Sequence, residues 1–441
     1  MSSEPVAVAE SAPRGAAGIA RQLGPGLIIT AVIVGSGELI VTPKLGASVG
    51  FRMLWFIVLG CLLKVFVQVE LGRHAVVHGR TTLAALDTLP GPRLRVSWIL
   101  WLWLLMYLGL VFQVAGMVGG VASILDLAGL PLSPGATAVL VGASCAVLLV
   151  VGHYRLVEAV STALVAAFTV TTMVAVAALQ TTPYAVTAGQ LLDGLRFRLP
   201  PSFNVAFAAF GVIGVGASEL IYYPYWCLEK GYAHRVGRGD GSAAWLARAR
   251  GWLRVMKIDA SLSFVLYTSA TLAFYVLGAA VLHGKGLAVE DARMIETLSH
   301  MYRETFGPWS LWVFLVGAFA VLYSTVFGAT ASNARLFADA VELFGLVRYA
   351  GGRPGWMVRV GSVALPVAFT SVYLAFGNPV SLVIVGAVGQ GLMLPFLAEG
   401  GPLLPPVRDG PGPRRQPRVR RCSCCRPSRS PRPASTRSSS R

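Results

Sequence analysis

Apolar runs of about twenty residues recur along most of this chain, and they constrain its fold more than any other feature. The run that begins at Trp98, WILWLWLLMYLGLVFQVAGMVGGVASIL, has no charged residue over 28 positions. A helix needs about twenty apolar residues to cross a bilayer, and lipid-exposed backbone is satisfied only in helices or closed barrels. An all-α polytopic membrane protein is therefore predicted. Its ten spans are expected at residues 21–43, 51–72, 96–123, 133–152, 157–180, 204–228, 258–282, 307–331, 357–377 and 379–399.

Composition and charge fit this class and divide the chain into three parts. Only 13% of the 441 residues are charged, against about 25% in soluble domains. Residues 1–20 are predicted to be a disordered lead-in, 21–400 a transmembrane domain, and 401–441 a basic low-complexity tail. The tail holds eleven of the 37 Lys and Arg residues, so the net charge of +17 does not indicate nucleic-acid binding. Two interpretations of the tail stay open: a cytoplasmic tail, or a sequence read out of frame.

The remaining basic residues predict the orientation in the cell membrane. With the N-terminus in the cytoplasm, cytoplasmic segments hold 18 Lys and Arg residues and outside loops hold seven. Cytoplasmic loops of membrane proteins carry an excess of these residues. We therefore expect a multi-pass protein with a cytoplasmic N-terminus.

A repeated decapeptide adds a topological prediction. Residues 34–43 read VGSGELIVTP and residues 215–224 read VGASELIYYP, with six of ten positions identical. The two copies lie in predicted spans 1 and 6, which cross the bilayer in opposite directions. This pattern is typical of an inverted 5+5 repeat with spans 1 and 6 interrupted at mid-membrane, the leucine-transporter type of fold. The repeats are expected at about 21–180 and 204–399.

The unusual residues of the decapeptide predict a cation site. Small residues permit unwinding, and unwound segments expose carbonyl oxygens that coordinate cations. Glu38 and Glu219 would add charge in the same plane, which favours hard ions such as Mg²⁺, Mn²⁺ or Ca²⁺, with protons bound in alternation. The alternative is that each glutamate is protonated, or bonded to amides of the opposing break. The predicted metal-binding and substrate-binding residues are Gly35, Ser36, Glu38, Val215, Ser218 and Glu219, with Ser36 assigned to the substrate only.

From about Gly24 to Phe396 the chain resembles the Nramp family of proton-coupled divalent-metal transporters. The likeness is carried by GPGLIITAVIVGSGELIVTPKLGA, VQVELGRHAVVHGRTTLA, YRLVEAVSTALV, AFGVIGVGASELIYYPYW and LMLPF. It implies the interrupted-helix fold and transport of a divalent cation, with no cofactor and no enzymatic activity.

The chain departs from the family at the signatures themselves. Gly35, Ser36, Gly37 and Glu38 stand where the resemblance places the Asp-Pro-Gly-Asn signature of span 1. Ser218, Glu219 and Leu220 replace Met-Pro-His in span 6, so the thioether that favours transition metals is missing. The resemblance further implies that Gln113 and Gly116 replace acids of a proton route, and that Met393 replaces a metal-associated glutamine. The pattern is similar to divergent members, some of which move Mg²⁺.

The predicted function is secondary transport of a hard divalent cation by alternating access. One alternative is a small organic or cationic solute, which Tyr222, Tyr223, Tyr225 and Trp226 would contact. Another is a membrane sensor or interaction protein that does not transport. Two further charged residues are predicted to have structural roles. Lys64 is expected to snorkel rather than to neutralise an acid, and Asp259 to cap or pair at the start of span 7.

Overall fold

The structure is a computed structural model that describes residues 9–35, 37–152, 154–200, 203–290, 293–349 and 355–403. Most of these residues are helical. The α-helices α1 to α17 are, in order, Ala16–Ala20, Pro25–Ile33, Thr42–Val49, Leu54–His78, Thr82–Leu86, Trp98–Leu127, Pro134–Val151, Tyr154–Ala178, Ala188–Gly194, Phe203–Val212, Ala217–Glu229, Tyr232–Val236, Ala243–Leu277, Met294–Phe306, Ser310–Leu343, Gly355–Phe376 and Pro379–Leu403.

Other elements are short. A π-helical turn, Gly37–Val41, precedes α3, and another, Gly278–Leu282, extends α13. Two 3₁₀ turns occupy Gly50–Met53 and Leu179–Thr181. The strands β1 (Arg93–Leu94) and β2 (Val96–Ser97) form a small antiparallel hairpin. It immediately precedes α6, and Val96 of its second strand is buried in the hydrophobic core.

Nine stretches of the described residues are long and apolar enough to cross a membrane. The first, Pro25–His78, contains two of the ten predicted spans. Its 54 residues would extend about 80 Å as one helix, more than twice the hydrocarbon thickness. The chain turns within it at Gly50, whose φ is +59°. The nine stretches therefore correspond to the ten predicted spans, and the all-α polytopic fold is confirmed.

Helix ends differ from the predicted spans mainly where helices continue beyond the apolar run. The seventh span was expected to begin at residue 258, yet α13 begins at Ala243, and α15 continues to Leu343 rather than 331. Hydropathy reports the lipid-embedded length, whereas backbone hydrogen bonding continues wherever neighbouring helices or caps support it. Ser242 caps α13 by accepting a hydrogen bond from the Trp245 amide.

Packing relates the two halves as an inverted repeat requires. Span 1 (α2 and α3) packs against α13 of span 7, and span 6 (α10 and α11) packs against α4 of span 2. Because spans 1 and 2 of the first half correspond to spans 6 and 7 of the second, these two contacts are equivalent in the two halves. Spans 4 and 9, formed by α7 and α16, likewise pack against each other. The fold is thus a 5+5 inverted repeat with interrupted spans 1 and 6.

Residues 9–20 of the lead-in contact the rest of the protein, whereas residues 1–8 lie outside the described residues. Within residues 9–20, which were expected to be disordered, the Glu10 amide donates to the Arg235 carbonyl and the Glu10 carbonyl accepts from Trp252 Nε1. The Glu10 backbone thus bonds to the backbone of α12 and to a tryptophan side chain of α13, and such partners cannot be recognised in a polar sequence. The tail from residue 404 onward lies outside the described residues, so its predicted character stays a prediction.

Candidate functional site

The break in span 1 is set by close packing rather than by an unusual glycine conformation. Helix α2 ends at Ile33, and the π-helical turn begins at Gly37. A Cβ atom at Gly35 would lie 1.8 Å from Thr325 Oγ1 of span 8. The Thr325 hydroxyl donates to the Val32 carbonyl at 3.0 Å, so it satisfies a carbonyl near the end of α2. Glycine is therefore required at position 35 because span 8 approaches the break. Ser36 lies outside the described residues.

The break in span 6 depends on backbone conformation. Helix α10 ends at Val212 and α11 begins at Ala217. Between them, Gly214 has a φ of +63°, a value that side-chain-bearing residues rarely adopt. Val215 follows in the irregular segment and is fully buried.

Glu38 links the two breaks. Its side chain is fully buried in the π-helical turn of span 1. Oε1 accepts hydrogen bonds from the Gly214 amide at 3.1 Å and from Thr271 Oγ1 of span 7 at 2.8 Å. Oε2 is buried and has no hydrogen-bond partner in the described structure. Oε1 therefore accepts from an amide of the opposing break, which is the alternative role predicted for this glutamate from the sequence. Oε2 is available to a ligand.

Glu219 lies at the start of α11 in a different environment. Its Oε2 accepts a hydrogen bond from Ser218 Oγ at 2.7 Å. The Ser218 amide and hydroxyl both donate to Gln390 Oε1 of span 10, at 2.9 and 3.1 Å. Gln390 Nε2 in turn donates to Gln113 Oε1 of span 3 at 2.7 Å. A buried polar network thus connects the second glutamate to spans 3 and 10.

Lys64 completes the centre, and the prediction that it snorkels is wrong. Its side chain is 3% exposed, and Nζ donates to the Ile213 carbonyl in the span-6 break at 2.6 Å. Its ammonium interacts electrostatically with both Glu38 and Glu219. Lys64 is near the middle of α4, too far from either end for its stem to reach water. The sequence feature that could have indicated this buried position is a lysine flanked by apolar residues near the centre of a span.

Asp259 is also placed differently from its prediction. It lies within α13, sixteen residues after the first, and is 1% exposed. Its carboxylate accepts from the amides of Gly24 at 3.0 Å and Gly26 at 2.6 Å, and from the Tyr223 hydroxyl at 3.2 Å. It therefore caps the N-terminus of α2 rather than its own helix. The capping partner is 233 residues away in sequence, which local patterns cannot indicate.

Sequence reasoning missed Gln390 and Thr271. The resemblance drew attention to Met393 in span 10, whereas the residue that contacts Ser218 is Gln390, one helical turn earlier. The sequence feature that could have indicated Gln390 is its polar side chain within the apolar stretch VIVGAVGQGLML. Thr271 could not be distinguished from a hydroxyl that only bonds its own helix, which it also does through the Tyr267 carbonyl.

Taken together, the site is a buried oxygen-rich centre rather than a preformed metal cluster. In the described part of the chain, no three His, Cys, Asp or Glu residues come together. Two glutamates, a serine hydroxyl and the backbone of two broken spans supply hard oxygen donors. An inverted repeat with two interrupted spans around such a centre is the architecture of a multi-pass membrane transporter.

The family model described as Natural resistance-associated macrophage protein-like, Nramp, matches residues 26–399. The chain belongs to the Nramp family, whose members transport metal ions and are not enzymes.

Similar proteins agree with this assignment. The chain is 24% identical over 368 residues to the uncharacterized protein PM0681 of Pasteurella multocida, covering 81% of this chain and 78% of that protein. Two solved structures of the Eremococcus coleocola manganese transporter match 91% of this chain and 83% of theirs. The complex with an aromatic bis-isothiourea substituted compound has a TM-score of 0.65 at 16% identity, and a mutant has 0.64 at 17%. At these identities the structures show the fold.

Proposed function

We propose that this protein carries a hard divalent cation, Mg²⁺ or Mn²⁺, across the cell membrane by alternating access at the centre between spans 1 and 6. The observation that carries the proposal is the buried, unpartnered Oε2 of Glu38. A buried carboxylate oxygen without a partner is costly, so a ligand or water is expected to satisfy it. Its position beside an interrupted helix favours a cation.

The proposed ligand set follows from the two breaks. Glu38 and Glu219 supply charge, Ser218 a hydroxyl, and Val215 and Gly35 backbone carbonyls, with Ser36 beside them along the chain. Gln390 joins the set through Ser218. These donors are all oxygen atoms, which suits Mg²⁺ and Mn²⁺ better than thiophilic Cd²⁺. Proton coupling does not follow from the resemblance, because Gln113 and Gly116 stand where the family carries acids of its proton route. Protons bound in alternation with the ion would be held by Glu38 and Glu219.

Alternating access fits the burial of the centre. Glu38 is fully buried and Glu219 is 9% exposed, so a cation reaches them only after a rearrangement. The Asp259 carboxylate joins the N-terminus of α2 to α13 and to Tyr223 of α11. Release of this cap would let α2 move away and open the centre on the side of the N-terminus. The predicted cytoplasmic location of that side, and the division of the chain into two repeats and a tail, remain part of the proposal.

The organic-solute alternative has less support. Tyr223, Tyr225 and Trp226 donate hydrogen bonds to Asp259, Asp339 and Ser332. The polar atoms of these three residues are used in contacts between helices, so a ligand would have to displace those contacts. The hydroxyl of Tyr222, the fourth residue of this alternative, is buried and has no hydrogen-bond partner among the described residues. The non-transporting alternative is addressed by the same uptake experiment as the proposal.

The test is uptake of Mg²⁺ and Mn²⁺ into proteoliposomes by wild type, Glu38→Gln and the control Glu70→Gln. Glu70 is in the same membrane domain, but it pairs with Arg73 near the end of α4. We expect saturable uptake by wild type and by Glu70→Gln, and none above background by Glu38→Gln. Wild-type uptake by folded Glu38→Gln would contradict the proposed site. Absence of metal uptake and metal binding in all three proteins would contradict the transport proposal itself.

A further inference from the structure

The buried lysine of span 2 has no part in the ligand set, yet it lies at the centre. Helix α4 has 25 residues, and Lys64 is the eleventh. The Nζ atom donates to the carbonyl of Ile213, one of the backbone oxygens freed by the span-6 break, and lies 5.4 Å from the centroid of the Phe210 ring. Both contacts are of a kind that favours a cation.

A buried ammonium is costly unless negative charge lies nearby. Here the negative charge comes from Glu38 and Glu219, the same carboxylates that are proposed to hold the substrate. Carbonyl oxygen and two carboxylates are also what a metal ion would use. The lysine head and the substrate therefore require the same environment.

We propose that the Lys64 ammonium is a tethered internal cation that competes with the transported metal ion. Without a bound ion it offsets the charge of Glu38 and Glu219, and a bound ion displaces it from the Ile213 carbonyl. This inference rests on the proposed function, because it assumes that the two glutamates belong to a cation site.

The net charge of the centre indicates how Lys64 affects metal binding. With both carboxylates ionised, the centre without a metal ion carries one net negative charge when Lys64 is present and two when it is replaced by a neutral residue. With a divalent ion bound, the centre carries one positive charge with the lysine and is neutral without it. Lys64 therefore weakens binding of a divalent ion and lessens the charge of the substrate-free centre, which has to rearrange for the next cycle. Removing Lys64 should tighten binding and slow the return step.

The test is Mn²⁺ titration calorimetry on the purified full chain for wild type, Lys64→Met and Lys64→Gln. Lys44→Met is the matched control, since Lys44 in the second half of span 1 also donates to a backbone carbonyl, that of Val289. We expect both Lys64 variants to bind Mn²⁺ about tenfold more tightly or better, because a like charge in a low-dielectric centre is removed. Lys44→Met should bind like wild type. Gln keeps a donor for the Ile213 carbonyl, so Lys64→Gln tests the idea if Lys64→Met does not fold.

A transport measurement separates charge from structure. In proteoliposomes, the Lys64 variants should keep Mn²⁺–Mn²⁺ exchange and lose net uptake, because only net uptake requires the substrate-free centre to return. A merely structural lysine would weaken binding and reduce both modes when it is replaced. Affinity equal to or weaker than wild type in folded Lys64 variants would overturn the inference while leaving the transport proposal intact. If wild type itself binds no Mn²⁺ in a Glu38-dependent way, the proposed function fails instead.

Discussion

The two breaks share six of ten residues in sequence, and their glutamates have different partners in the structure. In span 1, the carboxylate of Glu38 reaches across to Gly214 and Thr271 on other spans and leaves one oxygen unpartnered. In span 6, the carboxylate of Glu219 accepts from its own neighbour Ser218 and joins a network through Gln390. A duplicated motif therefore need not give duplicated chemistry. Glu38 keeps a fully buried, unpartnered oxygen and binds residues of other spans, whereas the hydrogen bond of Glu219 is to its own neighbour.

Neutralising each glutamate in turn should reveal the largest difference between the two breaks. Glu38→Gln should weaken Mn²⁺ affinity by about 100-fold, since it removes a buried charge that has one uncommitted oxygen. Glu219→Gln should weaken it by about tenfold, because the Ser218 hydroxyl can still donate to the amide oxygen. Calorimetric titration of both purified variants measures the two affinities. Equal losses would mean that the two breaks are functionally equivalent despite their different partners.

The two glycines facing the centre should respond unequally to an added methyl group. The Cβ of Gly35→Ala would meet the short, β-branched Thr325 at 1.8 Å, which cannot move aside without shifting span 8. The Cβ of Gly216→Ala would meet the ends of Gln390 and Glu219, each at 2.4 Å, and these flexible side chains can adjust.

We therefore expect Gly35→Ala to destabilise the fold by about 1–3 kcal/mol, seen as a lower apparent melting temperature in detergent. Gly216→Ala should keep a near-wild-type melting temperature and lose Mn²⁺ affinity. Equal melting temperatures for the two variants would contradict the view that packing sets the first break.

Span 10 offers a smaller test of which residue serves the second break. Gln390→Leu removes the acceptor for the Ser218 amide and the donor to Gln113, so Mn²⁺ affinity should fall by about fivefold or more. Met393→Leu, one turn further on, should leave affinity within about twofold of wild type because the change nearly conserves volume. Titration of the two variants side by side decides between them, and a greater loss in Met393→Leu would favour the position that the family resemblance indicated.

The smallest expected effect concerns ion preference at the span-6 break. Ser218→Met introduces a thioether, a soft ligand that favours Cd²⁺ over Mg²⁺. Competition by Cd²⁺ against Mn²⁺ uptake should strengthen by a few-fold, while wild type should show weak competition. Strong Cd²⁺ transport by the wild-type protein would contradict the assignment of an all-oxygen centre.

The class of protein, its membrane spans and the twofold relation of the halves could all be predicted from the amino-acid sequence. Hydropathy indicates the class and the spans because an apolar helix satisfies its own backbone hydrogen bonds in lipid. The repeated Glu and Pro indicate the interrupted spans and the relation of the halves. The sequence also indicated both glutamates and Ser218, since a carboxylate within an apolar span is conspicuous without any structure.

The partners of these residues became known only from the three-dimensional structure. In the structure, Lys64 donates to a backbone carbonyl in the centre, and Asp259 accepts from the amides of Gly24 and Gly26. The residue of span 10 that contacts Ser218 is Gln390 rather than Met393. Each of these contacts joins residues more than 140 positions apart. Local sequence patterns indicate whether a residue favours its own helix. Its partners on other helices depend on the rotation and distance of those helices, which the packing of the whole domain determines.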